Sequence, residues 1–165
     1  MNRLPFLFAA LLMVSACGNR YPDHSVIVNS TDALVQTAAG TVCGYIEDGV
    51  YTFKGIDYAR AQRFEAPQDP EPWEGVQTAL YYGNQCHQAP RFTWGDDAEA
   101  FLYQWDDGVQ SDDCLNLNVW TQGLGDGKKR PVMVWLHGGG YAMGASSELP
   151  FYDGTNLAKK DVVLV

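Results

Sequence analysis

Short blocks that mix apolar and polar residues mark the early part of the chain. Residues 34–37, 41–46 and 50–55 resemble short strands, and the alternation within residues 41–45 is typical of a strand with one buried face. Gly40 separates the first two blocks, and an Asp-Gly pair at residues 48–49 separates the second from the third. Because Gly and Asp-Gly are common in tight turns, the pattern predicts three short antiparallel strands.

Further along, strands and helices are predicted in turn. A Pro- and Gln-rich stretch without regular periodicity covers residues 59–73, residues 115–121 alternate as a strand, and residues 162–165 begin another apolar strand. Short helices are predicted within residues 75–82, 97–104 and 153–160. Antiparallel hairpins followed by apolar strands and helices favour a mixed α/β sheet.

A continuous apolar block at residues 131–136 (Pro-Val-Met-Val-Trp-Leu) runs directly into a glycine motif. We predict that this block is a strand buried on both faces, because its apolar residues are consecutive. Gly138, Gly139 and Gly140 follow, and glycines adopt positive φ readily and expose bare backbone N–H groups. Such N–H groups can stabilise the oxyanion that develops during acyl transfer, although a glycine run also occurs in ordinary turns.

The N-terminus has the three parts of an export signal. Arg3 supplies a positive charge, residues 4–14 are almost entirely apolar, and Val-Ser-Ala-Cys at residues 14–17 ends the segment with small residues before a cysteine. The apolar run is too short to span a bilayer, which needs about 20 residues. A buried helix or a plain secretory signal is the alternative.

The Val-Ser-Ala-Cys tetrapeptide resembles the lipobox of bacterial lipoproteins. The resemblance implies a signal peptide at residues 1–16, lipid on Cys17, and a polar tether over residues 17–31. Acyl chains of this kind would anchor the protein to a membrane surface. Because no Asp follows Cys17, we expect the periplasmic side of the outer membrane.

Charge and composition exclude some partners. The net charge is −9, from 11 basic and 20 acidic residues, and this argues against nucleic-acid binding, which needs a positive face. The one basic run, Lys-Lys-Arg at residues 128–130, fits a solvated loop. A hydrophobic content of 46% predicts a globular, core-forming chain.

The cysteines predict one disulfide. If Cys17 carries lipid, Cys43, Cys86 and Cys114 remain in an oxidising compartment, so one of them is left unpaired. Cys43 lies in the alternating block at residues 41–46, where a cysteine serves as a small buried hydrophobe. We therefore predict a disulfide between Cys86 and Cys114.

Four separated segments carry a family resemblance: Phe-Lys-Gly-Ile-Asp-Tyr-Ala at residues 53–59, Arg-Phe at 63–64 with Pro67 and Trp73, Ser-Asp-Asp-Cys-Leu-Asn-Leu-Asn-Val-Trp-Thr at 111–121, and His-Gly-Gly-Gly-Tyr at 137–141 with Gly144. In this order they resemble the type-B carboxylesterase family, which contains bacterial para-nitrobenzyl esterases and the cholinesterases. Asp57 stands where the family has proline. The resemblance implies that residues 32–165 are the N-terminal part of an α/β-hydrolase fold.

The resemblance also implies a chemistry and a site. Members hydrolyse carboxylic esters of small molecules through an acylated serine, without a metal or an organic cofactor. The backbone N–H groups of Gly139 and Gly140 would form two limbs of the oxyanion hole. Trp94 and Tyr141 would contact the substrate, and for Trp94 a role in packing is the alternative.

Two structural features follow from the same resemblance. Cys86 and Cys114 correspond to the first disulfide of the family, in agreement with the cysteine count. Arg63 and Asp112 fall where the family places a structural ion pair, although Asp112 is one methylene shorter than the usual Glu. If this pair is buried, the loss of either partner would leave an unpaired buried charge.

The remaining catalytic groups of such a site are not recognisable in the sequence. No Gly-x-Ser-x-Gly pentapeptide is present, and His24, His87 and His137 are not placed as a catalytic base. We therefore expect a partial esterase domain that is inactive by itself. Two alternatives stay open at this point: a non-catalytic adhesion relative of the fold, and a small structural lipoprotein of the cell envelope.

Overall fold

The computed structural model describes residues 24–89, 106 and 108–165. The predicted signal peptide, Cys17, Trp94 and the helix predicted within residues 97–104 lie outside the described residues. Within the described part, none of the helices is both long and apolar enough to cross a membrane.

Nine strands lie in the described ranges: β1 Val26–Ile27, β2 Leu34–Gln36, β3 Thr41–Cys43, β4 Tyr45–Glu47, β5 Val50–Asp57, β6 Val76–Thr78, β7 Asn116–Thr121, β8 Val132–Met133 and β9 Val163–Leu164. A six-stranded sheet has the order β1-β4-β5-β7-β9-β8, with antiparallel neighbours except for the parallel pair β8 and β9. A three-stranded sheet has the order β2-β3-β6. The predicted mixed α/β class, with hairpins leading into a mixed sheet, is confirmed.

The β4–β5 hairpin forms where the sequence predicted it. Its two-residue turn has φ of 48° at Asp48 and 78° at Gly49, and two positive φ values are what a type I′ turn requires. The predicted strand at residues 41–46 is divided at Gly44, where a Cβ atom would overlap the Thr52 carbonyl oxygen. Glycine therefore allows the chain to pass from the small sheet into the large one.

The prediction of a helix within residues 75–82 is wrong. Val76–Thr78 forms strand β6, which pairs in parallel with β3. The Ala79 N–H donates to the Cys43 carbonyl at 2.7 Å, so the backbone continues the ladder beyond the strand. Two β-branched residues in a three-residue segment favour this outcome over a helix.

A hydrophobic cluster packs against each face of the large sheet at β5. Val50 is packed with Trp120, Ala158 and Leu164, whereas Phe53 is packed with residues of the small sheet. Residues 50 and 53 differ by an odd number, so their side chains point to opposite faces of the strand. Ala158 belongs to α1 (Thr155–Ala158), the short helix found within the predicted range 153–160, and a 3₁₀ turn at Pro150–Tyr152 precedes it.

The expectation of a doubly buried strand at residues 131–136 is wrong. Only Val132–Met133 is a strand, and the side chains from Val132 to Leu136 are between 47% and 82% exposed. The physical reason is position, because β8 is at the end of the sheet and has β9 as its one neighbour. Trp135 is partly covered, with its ring centroid 5.6 Å from that of Tyr152.

The loop before β8 is fixed by Arg130. Its guanidinium binds the Asp126 carboxylate at 2.6 Å and the Asp161 carboxylate at 2.7 Å. The hydrogen bond from Arg130 is the main reason that the pKa of Asp126 falls to about 2. Because the pKa is lowered, this interaction stabilises the fold at neutral pH and is lost only as pH falls from about 4 to about 2.

Candidate functional site

The glycine motif forms a turn directly after the β8 segment. Gly139 has φ of 124°, Gly140 of 63° and Tyr141 of 60°. Three consecutive residues therefore lie in the region of positive φ, as the sequence led us to expect for the glycines. A tyrosine in this region is strained, by about 1–2 kcal/mol in a typical case.

The two central glycines are needed for different reasons. A Cβ atom on Gly139 would overlap the carbonyl oxygen of Met143, so no other residue fits without opening the turn. A Cβ atom on Gly140 would meet open space, and there only the backbone conformation favours glycine. Gly138 has neither requirement, since its φ is not positive and the space around its Cβ position is open.

The turn is closed through carbonyl groups, which leaves its central N–H groups bare. The Gly139 carbonyl accepts hydrogen bonds from the N–H groups of Ala142 at 3.1 Å and Met143 at 3.2 Å. Within the described residues, the N–H groups of Gly139 and Gly140 donate to no protein acceptor. Successive bare N–H groups at positive φ form a concave donor site suited to an anion.

The far end of the turn is held by side chains from other segments. Gly144 has φ of 104° and donates its N–H to the side-chain oxygen of Gln88 at 2.7 Å. Two residues later, the Ser146 hydroxyl accepts a 3.0 Å hydrogen bond from the amide of Asn118. The Asn118 oxygen in turn accepts the Gly55 N–H at 3.0 Å, at a bulge in β5.

Asn118 and Gln88 are functional candidates that sequence reasoning missed. Asn118 is only 4% exposed and connects the bulge of β5 with the segment that follows the turn. A signal was available, because Asn118 has the parity of Trp120 on an alternating strand and is therefore a polar residue at an inward position. For Gln88 the sequence carried no comparable signal.

The predicted disulfide is confirmed. Cys86 and Cys114 are joined at an S–S distance of 2.08 Å, and Cys43 is free and buried as expected. The disulfide fixes the segment that contains Gln88 to the residues just before β7.

The predicted ion pair is formed, but it is not buried. Arg63 approaches Asp112 to 2.7 Å, with side chains 57% and 62% exposed. The hydrogen bond from Arg63, helped by the charges of Arg63 and His87, holds the pKa of Asp112 below its ordinary value. Exposed pairs contribute little to stability, so this one acts mainly as a local link between two loops.

Two cavities in the described part of the chain are not lined by residues of the glycine turn. These cavities, of about 520 Å³ and about 420 Å³, are lined by the loop at residues 59–71 and by residues near the disulfide. The Tyr141 side chain is fully exposed, and Trp94 lies outside the described residues, so their roles toward substrate stay predictions. No group of three or more metal-binding side chains occurs in the part of the chain that the structure describes.

Three comparisons with known proteins agree with one another. A family model described as the Carboxylesterase family matches residues 31–165. The chain is 42% identical to the Para-nitrobenzyl esterase of Bacillus subtilis over 139 residues, which cover 82% of this chain and 27% of the relative. It is 33% identical to the Cholinesterase of Mus musculus, covering 97% of this chain and 26% of that protein.

Solved structures give the same result for the fold. An esterase from the anaerobe Clostridium hathewayi superposes with a TM-score of 0.78 at 40% identity, covering 86% of this chain and 28% of that one. A structure of a PNB esterase superposes with a TM-score of 0.65 at 40% identity, and the match covers 79% of this chain and 26% of the PNB esterase chain. The chain thus spans about a quarter of the length of the curated relatives it matches.

Proposed function

Because this chain belongs to the carboxylesterase family, we propose that its glycine turn is the oxyanion-stabilising part of a carboxylic ester hydrolase site. The observation that carries the proposal is the pair of bare N–H groups on Gly139 and Gly140. When a serine attacks an ester carbonyl, the carbonyl oxygen gains negative charge, and fixed donors near it lower the barrier. The same donors act again when water attacks the acyl-enzyme.

The other groups of this mechanism are a serine nucleophile, a histidine base and an acid. His137 donates from Nδ1 to the Gly138 carbonyl, and His24 contacts Glu47 and Asp48. None of the three histidines is hydrogen-bonded to a serine within the described ranges. We therefore expect the 165 residues alone to give no ester hydrolysis above the rate in buffer.

A chimera tests the proposed function. Residues 31–165 would replace the matching segment of the Bacillus subtilis Para-nitrobenzyl esterase, and hydrolysis of a para-nitrobenzyl ester would be followed by absorbance. We expect turnover, because the turn would supply the donors that the host site requires. A correctly folded chimera without turnover would contradict the proposal, and so would hydrolysis by the 165 residues alone at the same rate.

We also propose that Cys17 carries lipid and anchors the protein to the periplasmic side of a bacterial outer membrane. The Cys86–Cys114 disulfide supports export to an oxidising compartment, and the apolar run at residues 4–14 supports a signal peptide. Mass spectrometry of the mature N-terminus in a bacterial host is the test. We expect an acylated peptide that begins at Cys17, whereas an unmodified N-terminus at another residue would overturn the lipid anchor.

A further inference from the structure

The glycine turn is connected to the disulfide-bonded segment through one glutamine. The Gly144 N–H donates to the side-chain oxygen of Gln88 at 2.7 Å, and these two residues are 56 positions apart in the sequence. Gln88 follows Cys86 by two residues, and Cys86 is bonded to Cys114. The hydrogen bond is therefore a long-range link from a covalently fixed segment to the end of the turn.

The position of Gly144 affects the two central glycines. A Cβ atom on Gly144 would lie 2.5 Å from the Gly138 carbonyl oxygen and 2.7 Å from Nδ1 of His137, so the two ends of the turn are packed together. Met143, the residue before Gly144, donates its N–H to the Gly139 carbonyl at 3.2 Å. A displacement of Gly144 would therefore move the peptide groups of Gly139 and Gly140.

Gln88 is itself held in a single orientation. Its side-chain nitrogen donates to the side-chain oxygen of Gln85 at 3.1 Å, and its backbone N–H donates to the side-chain oxygen of Gln110 at 3.2 Å. A flip of the Gln88 amide would place nitrogen against the Gly144 N–H and oxygen against the Gln85 oxygen, so both hydrogen bonds would be lost.

Gln85, which accepts from Gln88, is itself held in place by burial and hydrogen bonds. It is only 3% exposed, and its side-chain nitrogen donates to the Asp106 carbonyl at 3.1 Å. Its backbone N–H donates to Val109 at 2.8 Å, and its carbonyl accepts from Ser111 at 2.9 Å. The backbone groups and the side-chain nitrogen of Gln85 are thus hydrogen-bonded to residues 106, 109 and 111, and its side-chain oxygen accepts from Gln88.

We propose that Gln88 is a positioning residue that sets the direction of the Gly139 and Gly140 N–H groups by holding Gly144. Its meaning for catalysis rests on the proposed function, whereas the link between Gln88 and the turn can be measured on the 165-residue chain itself. The test is the two-dimensional ¹H–¹⁵N spectrum and the amide exchange rates of the ¹⁵N-glycine-labelled chain.

Gln88→Ala is expected to raise the exchange rate of the Gly144 amide by roughly tenfold, which is the effect of losing one ordinary hydrogen bond. It should also shift the resonances of Gly139 and Gly140, to which Gln88 makes no hydrogen bond. Gln88→Glu keeps the acceptor oxygen and should retain the exchange protection of Gly144. Gln77→Ala, at an exposed position of β6, is the matched control and should leave all three resonances in place.

Gln88→Asn keeps the amide but is one methylene shorter, so its oxygen should not reach the Gly144 N–H and the variant should behave like Gln88→Ala. It replaces the Ala variant in the test if Gln88→Ala does not fold. A shift of Gly144 without any change at Gly139 and Gly140 would overturn the proposal, as would wild-type spectra for both the Ala and Asn variants. These NMR measurements involve no turnover, so their outcome does not depend on the activity of the chimera. Failure of the proposed ester hydrolase function would appear only in the kinetics of the chimera.

Discussion

Gly139→Ala in the chimeric esterase is expected to lower kcat by roughly 10²–10³-fold, the usual loss when one oxyanion donor is removed. The added Cβ atom would overlap the Met143 carbonyl oxygen, so the turn must open and the bare N–H must move. Binding of the substrate before reaction should change less, because the donor acts on charge that develops in the transition state. Steady-state kinetics with a para-nitrobenzyl ester would give kcat and KM for both proteins.

Gly138→Ala is the matched control for this substitution. Its Cβ atom would meet open space and its φ is not positive, so kcat should stay within a few-fold of the parent. Gly140→Ala is expected to fall between the two, since it adds strain at φ of 63° but no overlap. Equal kcat values for the Gly138 and Gly139 variants would contradict the assigned role of the turn.

Removal of the disulfide by the double substitution Cys86→Ser and Cys114→Ser is expected to lower the free energy of unfolding by roughly 3–4 kcal/mol. The bond closes a loop with a sequence separation of 28, and an open loop gives the unfolded chain more conformations. Urea denaturation of the purified chain, followed by tryptophan fluorescence, would measure the difference.

Cys43→Ala is the control, because Cys43 is the free, buried cysteine of the described residues and the disulfide remains intact. It should cost clearly less than the double variant. A reducing agent should destabilise the parent chain to the level of the double variant and leave the double variant unchanged. If the parent were equally stable with and without reductant, the disulfide would have no part in holding the fold.

The features that the sequence predicted well are governed by local chemistry. The Asp48–Gly49 turn has its expected conformation because two residues that tolerate positive φ stand between alternating strands. The glycine turn has positive φ at Gly139 and Gly140 for the same reason. The disulfide could be predicted because cysteine identities leave few pairings.

The features that the sequence predicted wrongly depend on neighbours. Val76–Thr78 became a strand because β3 offers a parallel partner, which no local pattern reveals. The apolar block at residues 131–136 has the composition of a buried strand, yet its exposure follows from the end position of β8 in the sheet. Composition indicates which residues can be buried, whereas the sheet order determines which of them are.

The residues that support the turn could not be predicted from the sequence, because their contacts are also long-range. Gly144 and Gln88 are 56 positions apart, and Asn118 and Ser146 are 28 apart, so only the folded chain brings them together. The proposed donors belong to the backbone of Gly139 and Gly140, and their role toward an oxyanion stays a prediction. What fixes their direction is long-range hydrogen bonding.

A crystal structure of the chimera with a phosphonate bound to its nucleophile would test the central claim most directly, because a phosphonate adduct mimics the tetrahedral intermediate. Donation from the turn predicts that one adduct oxygen lies about 2.7–3.1 Å from the backbone nitrogens of both Gly139 and Gly140. An adduct oxygen bound by other donors, with these two nitrogens turned away or bonded within the polypeptide, would contradict it.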